Sequence, residues 1–441
     1  MQLPIYVENV IRRLNECGFE CYAVGGCVRD SLLGFSPSDW DLCTNAKPQA
    51  VQEVFGDVPC IPTGLPHGTV TLLIDGHPLE ITTYRTEGAY SDARHPDEVH
   101  FVTSLREDLV RRDFTVNAMA YHPDEGVLDF FNGQDDLRHN VLRCVGVATE
   151  RLREDPLRIL RGLRFASCYG FDIEEETAEA LHKERQGLSC VARERVREEV
   201  NRLLLGKHVA DVLLRFPDVI GEVIPELCDS VSFEQHNRYH CYPVYEHSVR
   251  ALEQADPILT VRLALLLHDV GKPRTFSMDE NGCGHFYSHA KVSEAMTHEI
   301  LTRLRYDKKT IERVTALVRY HDVPLECTAT CIKRWLNRLG EASFRELLLV
   351  KEGDCRAQSP QVIAPRLEEL SRLSSLFEQV LQEKPCFSLK DLAVNGKDVL
   401  AQGIPAGEKV GQILNALLDQ VIEGKLPNER VALLDAILKN T

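Results

Sequence analysis

Residues 25–42 read GGCVRDSLLGFSPSDWDL, and the order of features in that stretch decides the fold. The residues before it, Phe19–Val24, have the composition of a strand and run straight into Gly25 and Gly26. A short helix is expected next, with Val28, Leu32 and Leu33 on its apolar side and Gly34 as a left-handed stop. A second strand, Asp39-Trp40-Asp41-Leu42, follows. Side chains alternate along a strand, so Asp39 and Asp41 share one face while Trp40 and Leu42 point to the other. Two carboxylates so placed, beside a glycine turn with bared N–H groups and Arg29, make a cage for a divalent ion and a polyphosphate. The chemistry implied is transfer of a nucleotide from a triphosphate.

Outward from this block, residues 1–145 alternate helix and strand and read as one α/β unit. Val70–Ile74 and Leu79–Tyr84 are expected to form a hairpin closed by Asp75-Gly76. Leu79 and Ile81 then face one side and Glu80 the other. An antiparallel neighbour would bring Glu80 to the two aspartates as a third carboxylate. The polar stretch Arg85–Glu98, with Gly88 and Pro96, reads as a mobile loop near the site. Arg111–Ala118, RRDFTVNA, is expected on a helix whose Leu105, Leu109, Val116 and Met119 face the core. There Arg112 and Asn117 can bond a triphosphate or sugar, and Asp113 can accept from a ribose hydroxyl.

Residues 146–235 turn mostly helical. In Glu154-Asp155-Pro156-Leu157-Arg158 the aspartate suits an N-cap and the proline a first helical position. Arg158, Arg161 and Arg164 recur along one side of that helix, with Leu157, Leu160 and Leu163 about 100° away. Cytosine and adenine both present an exocyclic amine beside an unprotonated ring nitrogen. An aspartate acceptor and an arginine donor on one helix turn match that pattern, whereas uracil and guanine show the opposite polarity.

A different set occupies residues 240–357: His247, then His268-Asp269, His289, His321-Asp322 and Asp354. Imidazoles with carboxylates suit a divalent ion that keeps open positions for water and phosphate. Gly271-Lys272-Pro273 adds a turn in which Lys272 is expected to face a phosphate. The remainder, 360–441, reads as helical with breaks at Pro385, Pro405 and Pro427 and turns at Asp391-Leu392 and Asn395–Asp398.

Composition sets the limits. At 441 residues, two to four domains are expected, and 44% hydrophobic with 27% charged residues describes a soluble globular protein. The N-terminal MQLPIYVENVIRRLNEC is a charged amphipathic helix rather than a signal peptide, and no apolar run is long enough to span a bilayer. The 15 cysteines include no CxxC pair, which points to buried thiols in a reducing cytoplasm rather than to disulfides or thiolate zinc. A net charge of −16 argues against a sequence-blind polyanion binder, although arginines cluster in 151–164.

These motifs resemble a known family. GGCVRD, DWDL, RRDFTVNA and EDPLRILR match, in order, the motifs of class II tRNA nucleotidyltransferases, which add or restore the 3′-terminal CCA of tRNA from CTP and ATP. ERVREE at 194–199 falls where that family braces its base-reading helix. The resemblance implies an α+β chain: a polymerase-beta-like head (1–145), a helical neck (146–235), and helical domains beyond. It implies that Asp39 and Asp41 hold catalytic Mg2+, that Asp113 reads the ribose, and that Asp155 and Arg158 read the base; beside these, Glu80 is expected as the third carboxylate, and Gly25, Gly26, Arg29, Arg112, Asn117 and Arg161 as nucleotide-binding. The histidine set is similar to the HD phosphohydrolase signature, HDxGK included. That likeness implies a domain at 240–357 with His247, His268, Asp269 and Asp354 holding Mg2+, Mn2+ or Ni2+, and with His289, His321 and Lys272 serving a second ion or the phosphate. The tail, 360–441, would grip the tRNA elbow. A poly(A) polymerase, an enzyme adding only CC or only A, and a phosphohydrolase with a regulatory head fit parts of the same pattern. No membrane partner is expected, and the chain is expected to be a monomer or homodimer.

Overall fold

The computed structural model describes residues 1–61, 68–87, 99–383 and 386–439. They form two compact units, Met1–Pro225 and Glu226–Thr441.

The first unit is built on a seven-stranded mixed sheet. Its strands are β1 (Cys21–Val24), β2 (Asp41–Thr44), β3 (Cys60–Ile61), β4 (Thr69–Ile74), β5 (His77–Thr83), and two further ones after a short ribbon. That ribbon pairs β6 (Arg85–Glu87) with β7 (Val99–Phe101); the rest of the expected mobile loop, 88–98, lies outside the described residues. The sheet then takes up β8 (Met119–His122) and β9 (Gly126–Asp129), giving the order β3-β4-β5-β2-β1-β8-β9. All four residues of β1 are buried, because both of its faces are covered. On one face Tyr22 and Val24 pack with Cys43, Tyr84, Leu109 and Ala120. The amphipathic first helix, Ile5–Glu16, buries Val7, Val10, Ile11 and Leu14 at helical spacing.

The block that opens the chain's chemistry folds nearly as its sequence predicts. β1 enters Gly25, the helix Gly26–Leu32 follows, and Gly34 closes it with φ 81°. Leu32, expected on the apolar side, is exposed instead, since this helix is too short to cover more than Cys27, Val28 and Arg29. The second strand begins at Asp41, so Asp39 and Trp40 belong to the approach to it. The Asp75-Gly76 hairpin forms with both residues at positive φ (51° and 83°).

Two further expectations fail. β2 and β5 are parallel, not antiparallel, with Asp41 opposite Glu80. The RRDFTVNA segment is not one helix: the helix Leu105–Val110 ends before it, a 3-10 turn covers Thr115–Asn117, and Met119 starts β8. The reason is non-local. Phe114 bridges to Cys144, with Thr115 N–H donating to the Arg143 carbonyl and Val145 N–H to that of Asp113, which holds the chain extended.

Beyond the sheet lie helices Leu157–Tyr169 and Arg193–Leu204, packed on each other. The first starts one residue later than expected, yet the Asp155 side chain still accepts from Leu157 N–H at 3.1 Å. Gly162 lets the Phe114 ring rest against this helix, where a Cβ would lie 3.1 Å from its Cζ.

The second unit is helical. Helices Val244–Glu253, Leu259–Leu267, His289–Arg303, Lys308–Tyr320 and Ala329–Arg356 form its body, and Pro360–Gln382 packs on the last of these. Gly340 interrupts the long helix with φ 73° and ψ 164°. Residues 386–439 carry a small core of their own, including Val399, Leu417, Leu418 and Leu433. Asn395 and Asp398 form a capping box on the helix Gly396–Ala401. Pro385 lies outside the described residues.

Gly25 sits at φ 82° and ψ −130°, and a Cβ there would lie 2.8 Å from Arg112 Nη1. Gly34 has the same sign of φ but open space around it. Gly34→Ala is therefore expected to cost about 1 kcal/mol, and Gly25→Ala about 2–3 kcal/mol. Amide hydrogen exchange across 21–44 measures both.

Candidate active site

The glycine turn, the approach to β2, the RRD segment and the helix Leu157–Tyr169 enclose a cavity of about 480 Å³. Eight arginines line it (Arg29, Arg111, Arg112, Arg158, Arg161, Arg164, Arg195, Arg202) against five aspartates (Asp30, Asp39, Asp41, Asp113, Asp155). In a chain of net charge −16, this lining has an excess of three positive charges. Such a concave positive site suits a polyanion.

Asp39 and Asp41 both reach the cavity. Asp41 is open to it, with protein on most sides of its carboxyl, and its pKa is raised. Loss of surrounding water is the main cause; Glu80 and Asp39 add to it and Arg112 opposes it. A carboxylate crowded by two others is one that a cation would relieve, so the pair fits a divalent ion. Glu80 acts on Asp41 across the parallel register but is not among the residues lining the cavity.

The other polar groups form a closed circuit. Arg29, buried, donates to Asn117 Oδ1 (2.5 Å), to Asp30 Oδ1 (2.9 Å from Nε) and to the Tyr169 hydroxyl (2.8 Å). Its guanidinium also lies 4.9 Å from the Phe165 ring centre and 4.6 Å from that of Tyr169. Asn117 Nδ2 donates to Asp113 Oδ1 at 3.0 Å, and Arg161 donates twice to Asp113 Oδ2, at 2.8 and 2.6 Å. Arg161, Phe165 and Tyr169 stand on one helix, so the circuit returns to Arg29. Burial alone would raise the Asp113 carboxyl, but Arg161, with Asn117, holds it well below the usual carboxylate range. Asp155 accepts from Arg195 at 3.2 Å, and Arg164 pairs with Glu199 at 3.2 Å, so helix Arg193–Leu204 braces the neighbouring helix at two points. Arg158 is fixed by Glu154 Oε2 (2.6 Å) and the Arg111 carbonyl (3.0 Å).

The second unit holds another cluster. His247, His268, Asp269, His289 and His321 are all buried. Each imidazole turns Nδ1 to a backbone carbonyl: His247 to Ala357 (3.2 Å), His268 to Leu265 (2.7 Å), His289 to Phe286 (2.9 Å), His321 to Val318 (2.7 Å). That fixes the proton on Nδ1 and aims the Nε2 lone pair inward. Inside, His247 Nε2 lies 2.9 Å from Asp354 Oδ1, and His268 Nε2 lies 3.2 Å from Asp269 Oδ2. His289 Nε2 lies 3.4 Å from Asp269 Oδ1 and 3.2 Å from His321 Nε2. Asp269 thus belongs to two possible ligand triads, one with His247 and His268, the other with His289 and His321. Burial opposes charge on His268, but Asp269 and Asp354 push its pKa up to about 10, so with no ion bound Nε2 carries a proton at the position where a metal cation would replace it. His268 Nε2 and both Asp269 carboxylate oxygens are buried without a hydrogen bond of good geometry. Buried ligand atoms converging in this way, with Asp269 Oδ2 met by Lys272 Nζ at 2.6 Å and Oδ1 turned to His289 and His321, fit a divalent cation.

Comparison with known proteins agrees with the head. The family profile "Poly A polymerase head domain" matches residues 21–143. "Probable RNA and SrmB- binding site of polymerase A" matches 170–227, and "tRNA nucleotidyltransferase domain 2" matches 275–437. The CCA-adding enzyme of Lactobacillus delbrueckii subsp. bulgaricus is 31% identical over 424 residues, covering 96% of this chain and 95% of that one. The chain belongs to the CCA-adding enzyme family. The family's Lactiplantibacillus plantarum member is 32% identical over 439 residues, covering 98% and 96%. The crystal structure of Bacillus stearothermophilus CCA-adding enzyme in complex with CTP superposes with a TM-score of 0.72 at 28% identity, over 100% of this chain and 98% of that one. As a member of the CCA-adding enzymes, the chain is a nucleotidyltransferase with a mixed-sheet head followed by helical regions. Among the described residues no helix is long and apolar enough to cross a membrane.

Within this CCA-adding enzyme, the structure redistributes some expected parts. Arg29 is a joint between head and helix as much as a cavity wall. Lys272, expected to face a phosphate, is buried with Nζ 2.6 Å from Asp269 Oδ2, 2.8 Å from Gln235 Oε1 and 3.3 Å from His240 Nε2. Gln235 and His240 belong to no motif singled out in the sequence. Burial, then Lys272, lowers the pKa of His240 to about 3, and its Nδ1 donates to Asn237 Oδ1 at 3.0 Å. The only signal in the sequence was that His240 precedes His247 by seven residues on an aromatic-rich loop.

Because the folded pKa of Asp113 is depressed, its contribution to stability is present above the unfolded value near pH 4 and is lost as pH falls below it. The stability gap between wild type and Asp113→Asn is expected to be widest at neutral pH and to narrow below about pH 4. Chemical denaturation across pH measures it.

Proposed function

We propose that this chain adds cytidine and adenosine to the 3′ end of tRNA, taking them from CTP and ATP. The observation that carries this is the cavity in which the two aspartates of the strand approach, the RRD segment and the Asp155–Arg158 turn share one wall of arginines. Asp39 and Asp41 would hold Mg2+, which supplies charge neutralisation at the attacking and leaving oxygens when bound. Glu80 supports Asp41 from the neighbouring strand. The backbone N–H of Gly26, with Arg112, binds the phosphates, while the N–H of Gly25, expected to join them, donates to the Met119 carbonyl at 3.2 Å and shapes the turn instead. Asp113 and Asn117 face the ribose and keep Arg161 in register. Asp155 and Arg158 present an acceptor and a donor to the base, a pattern that selects C and A over U and G.

The second unit is read as an HD-type metal centre. His247, His268, Asp269 and Asp354 would hold a Mg2+, Mn2+ or Ni2+ ion, and His289 and His321 a second ion or a phosphate. Hydrolysis of phosphomonoesters or cyclic phosphates at tRNA ends is the activity those residue types support. The chain then divides into a head at 1–145, a neck at 146–235, the HD domain at 240–357 and a tail at 360–441 that contacts tRNA.

The test offers purified protein a tRNA lacking its last three nucleotides, with CTP and ATP, and sequences the product. Addition of C, C and A is expected; long runs of A alone would mean poly(A) synthesis. Asp41→Ala should abolish incorporation and leave metal-dependent phosphatase activity intact, and His268→Ala should do the reverse. Loss of both activities in either variant would refute two separate centres.

A further inference from the structure

The cation expected to meet a phosphate at the second centre, Lys272, is enclosed by Asp269, Gln235 and His240 and has no reach into open space. The centre opens elsewhere. Asp354 is its most accessible carboxylate, with 18% of its side chain exposed against 1% for Asp269. Asp354 and His321 both line a cavity of about 280 Å³ between the end of the long helix and the helix Pro360–Gln382.

Two other cations stand in that cavity, Lys351 and Arg366. Lys351 is one helical turn before Asp354 and so on the same face. Its Nζ donates to the carbonyls of His321 (2.6 Å) and Val323 (2.7 Å), which accounts for two of three N–H donors. Arg366 donates Nη1 to Gln358 Oε1 at 2.5 Å, and buried Gln358 donates Nε2 to Asp354 Oδ2 at 3.4 Å. Its guanidinium also lies 5.4 Å from the Tyr239 ring centre, which fixes the plane of the fork. Three carboxylates, Asp322, Asp354 and Glu369, stand with the two cations; Asp354 is turned to His247 at 2.9 Å, while Leu325, Leu370 and Leu373 give the cavity an apolar wall. A rim with two cations, no excess of positive charge and an apolar wall suits a small organic phosphate better than a bare polyphosphate.

We propose that Arg366, oriented by Gln358, and Lys351 form the phosphate-positioning subsite of this centre, which takes a small phosphomonoester entering past Asp354 with its carbon part against the leucine wall. The inference rests on the HD reading above. Arg366 is a positioning residue: it holds the ester's oxygens and does not ligate the ion.

The experiment uses the full chain loaded with Mn2+ or Ni2+, with p-nitrophenyl phosphate as substrate and inorganic phosphate as a binding probe. Arg366→Gln, at an exposed position, is expected to raise KM and weaken phosphate binding about tenfold or more. Its kcat should stay within about twofold, with metal content unchanged. Arg366→Lys should recover part of the loss, and Lys351→Gln should weaken phosphate binding in the same direction. Unchanged KM and phosphate affinity in Arg366→Gln, with wild type active and metal-loaded, would overturn the subsite and leave the HD reading standing. A wild-type protein that retains no divalent ion and hydrolyses nothing would overturn both.

Discussion

The head depends on one buried guanidinium. Arg29 stands where a strand turns into a helix, and its donors reach the sheet side through Asn117, its own helix through Asp30, and the neighbouring helix through Tyr169. Asp113 and Arg161 close the loop on the far side. In a low-dielectric setting such a circuit is worth most when every member is satisfied, and removal of one leaves its neighbours unpaired. The distance between the glycine turn and the helix that carries Arg158, with Asp155 just before its start, is thereby set by hydrogen bonds of fixed length. Apolar packing supports the same spacing, since Gly162 lets Phe114 approach and Phe165 covers Arg29.

This arrangement reconciles an acidic protein with a polyanionic task. Net charge speaks to solubility and long-range approach; the local field of a concave surface decides binding. Of the eight arginines in the cavity, seven are partnered: Arg29 by Asp30, Arg111 and Arg112 by Asp108, Arg158 by Glu154, Arg161 by Asp113, Arg164 by Glu199 and Arg195 by Asp155. Those pairs keep the arginines in place and moderate the field, so that the cavity is positive without being an unstable cluster of like charges.

What could be read from the sequence was whatever is encoded locally. The strand–glycine–helix–strand block, the Asp75-Gly76 hairpin and the Asp155-Pro156 helix start were all visible, because each depends on residues within a few positions. Glu80 was placed beside Asp41 by the wrong strand geometry, since pairing direction depends on which strands become neighbours in the sheet. The RRDFTVNA segment has helical periodicity, yet a bridge from Phe114 to Cys144 overrides it from 30 residues away. In the second unit the histidines and aspartates were found by type and order. Gln235, His240, Gln358 and Arg366 were not, because each gains its place only when separate helices meet, and none belongs to a recognisable spacing.

The four imidazoles anchored through Nδ1 have a consequence for how the second unit responds to chelators. In small zinc modules the ligands become ordered only as the ion arrives, so withdrawal of the ion unravels the fold. Here backbone carbonyls at Leu265, Phe286, Val318 and Ala357 have set each ring's tautomer and tilt within a helical body that has its own apolar core. The rings are preorganised, and little ordering entropy remains to be lost when a cation enters. Occupancy of the proposed metal centre would therefore be separable from folding: an ion bound there would exchange with its surroundings while the scaffold that receives it persists.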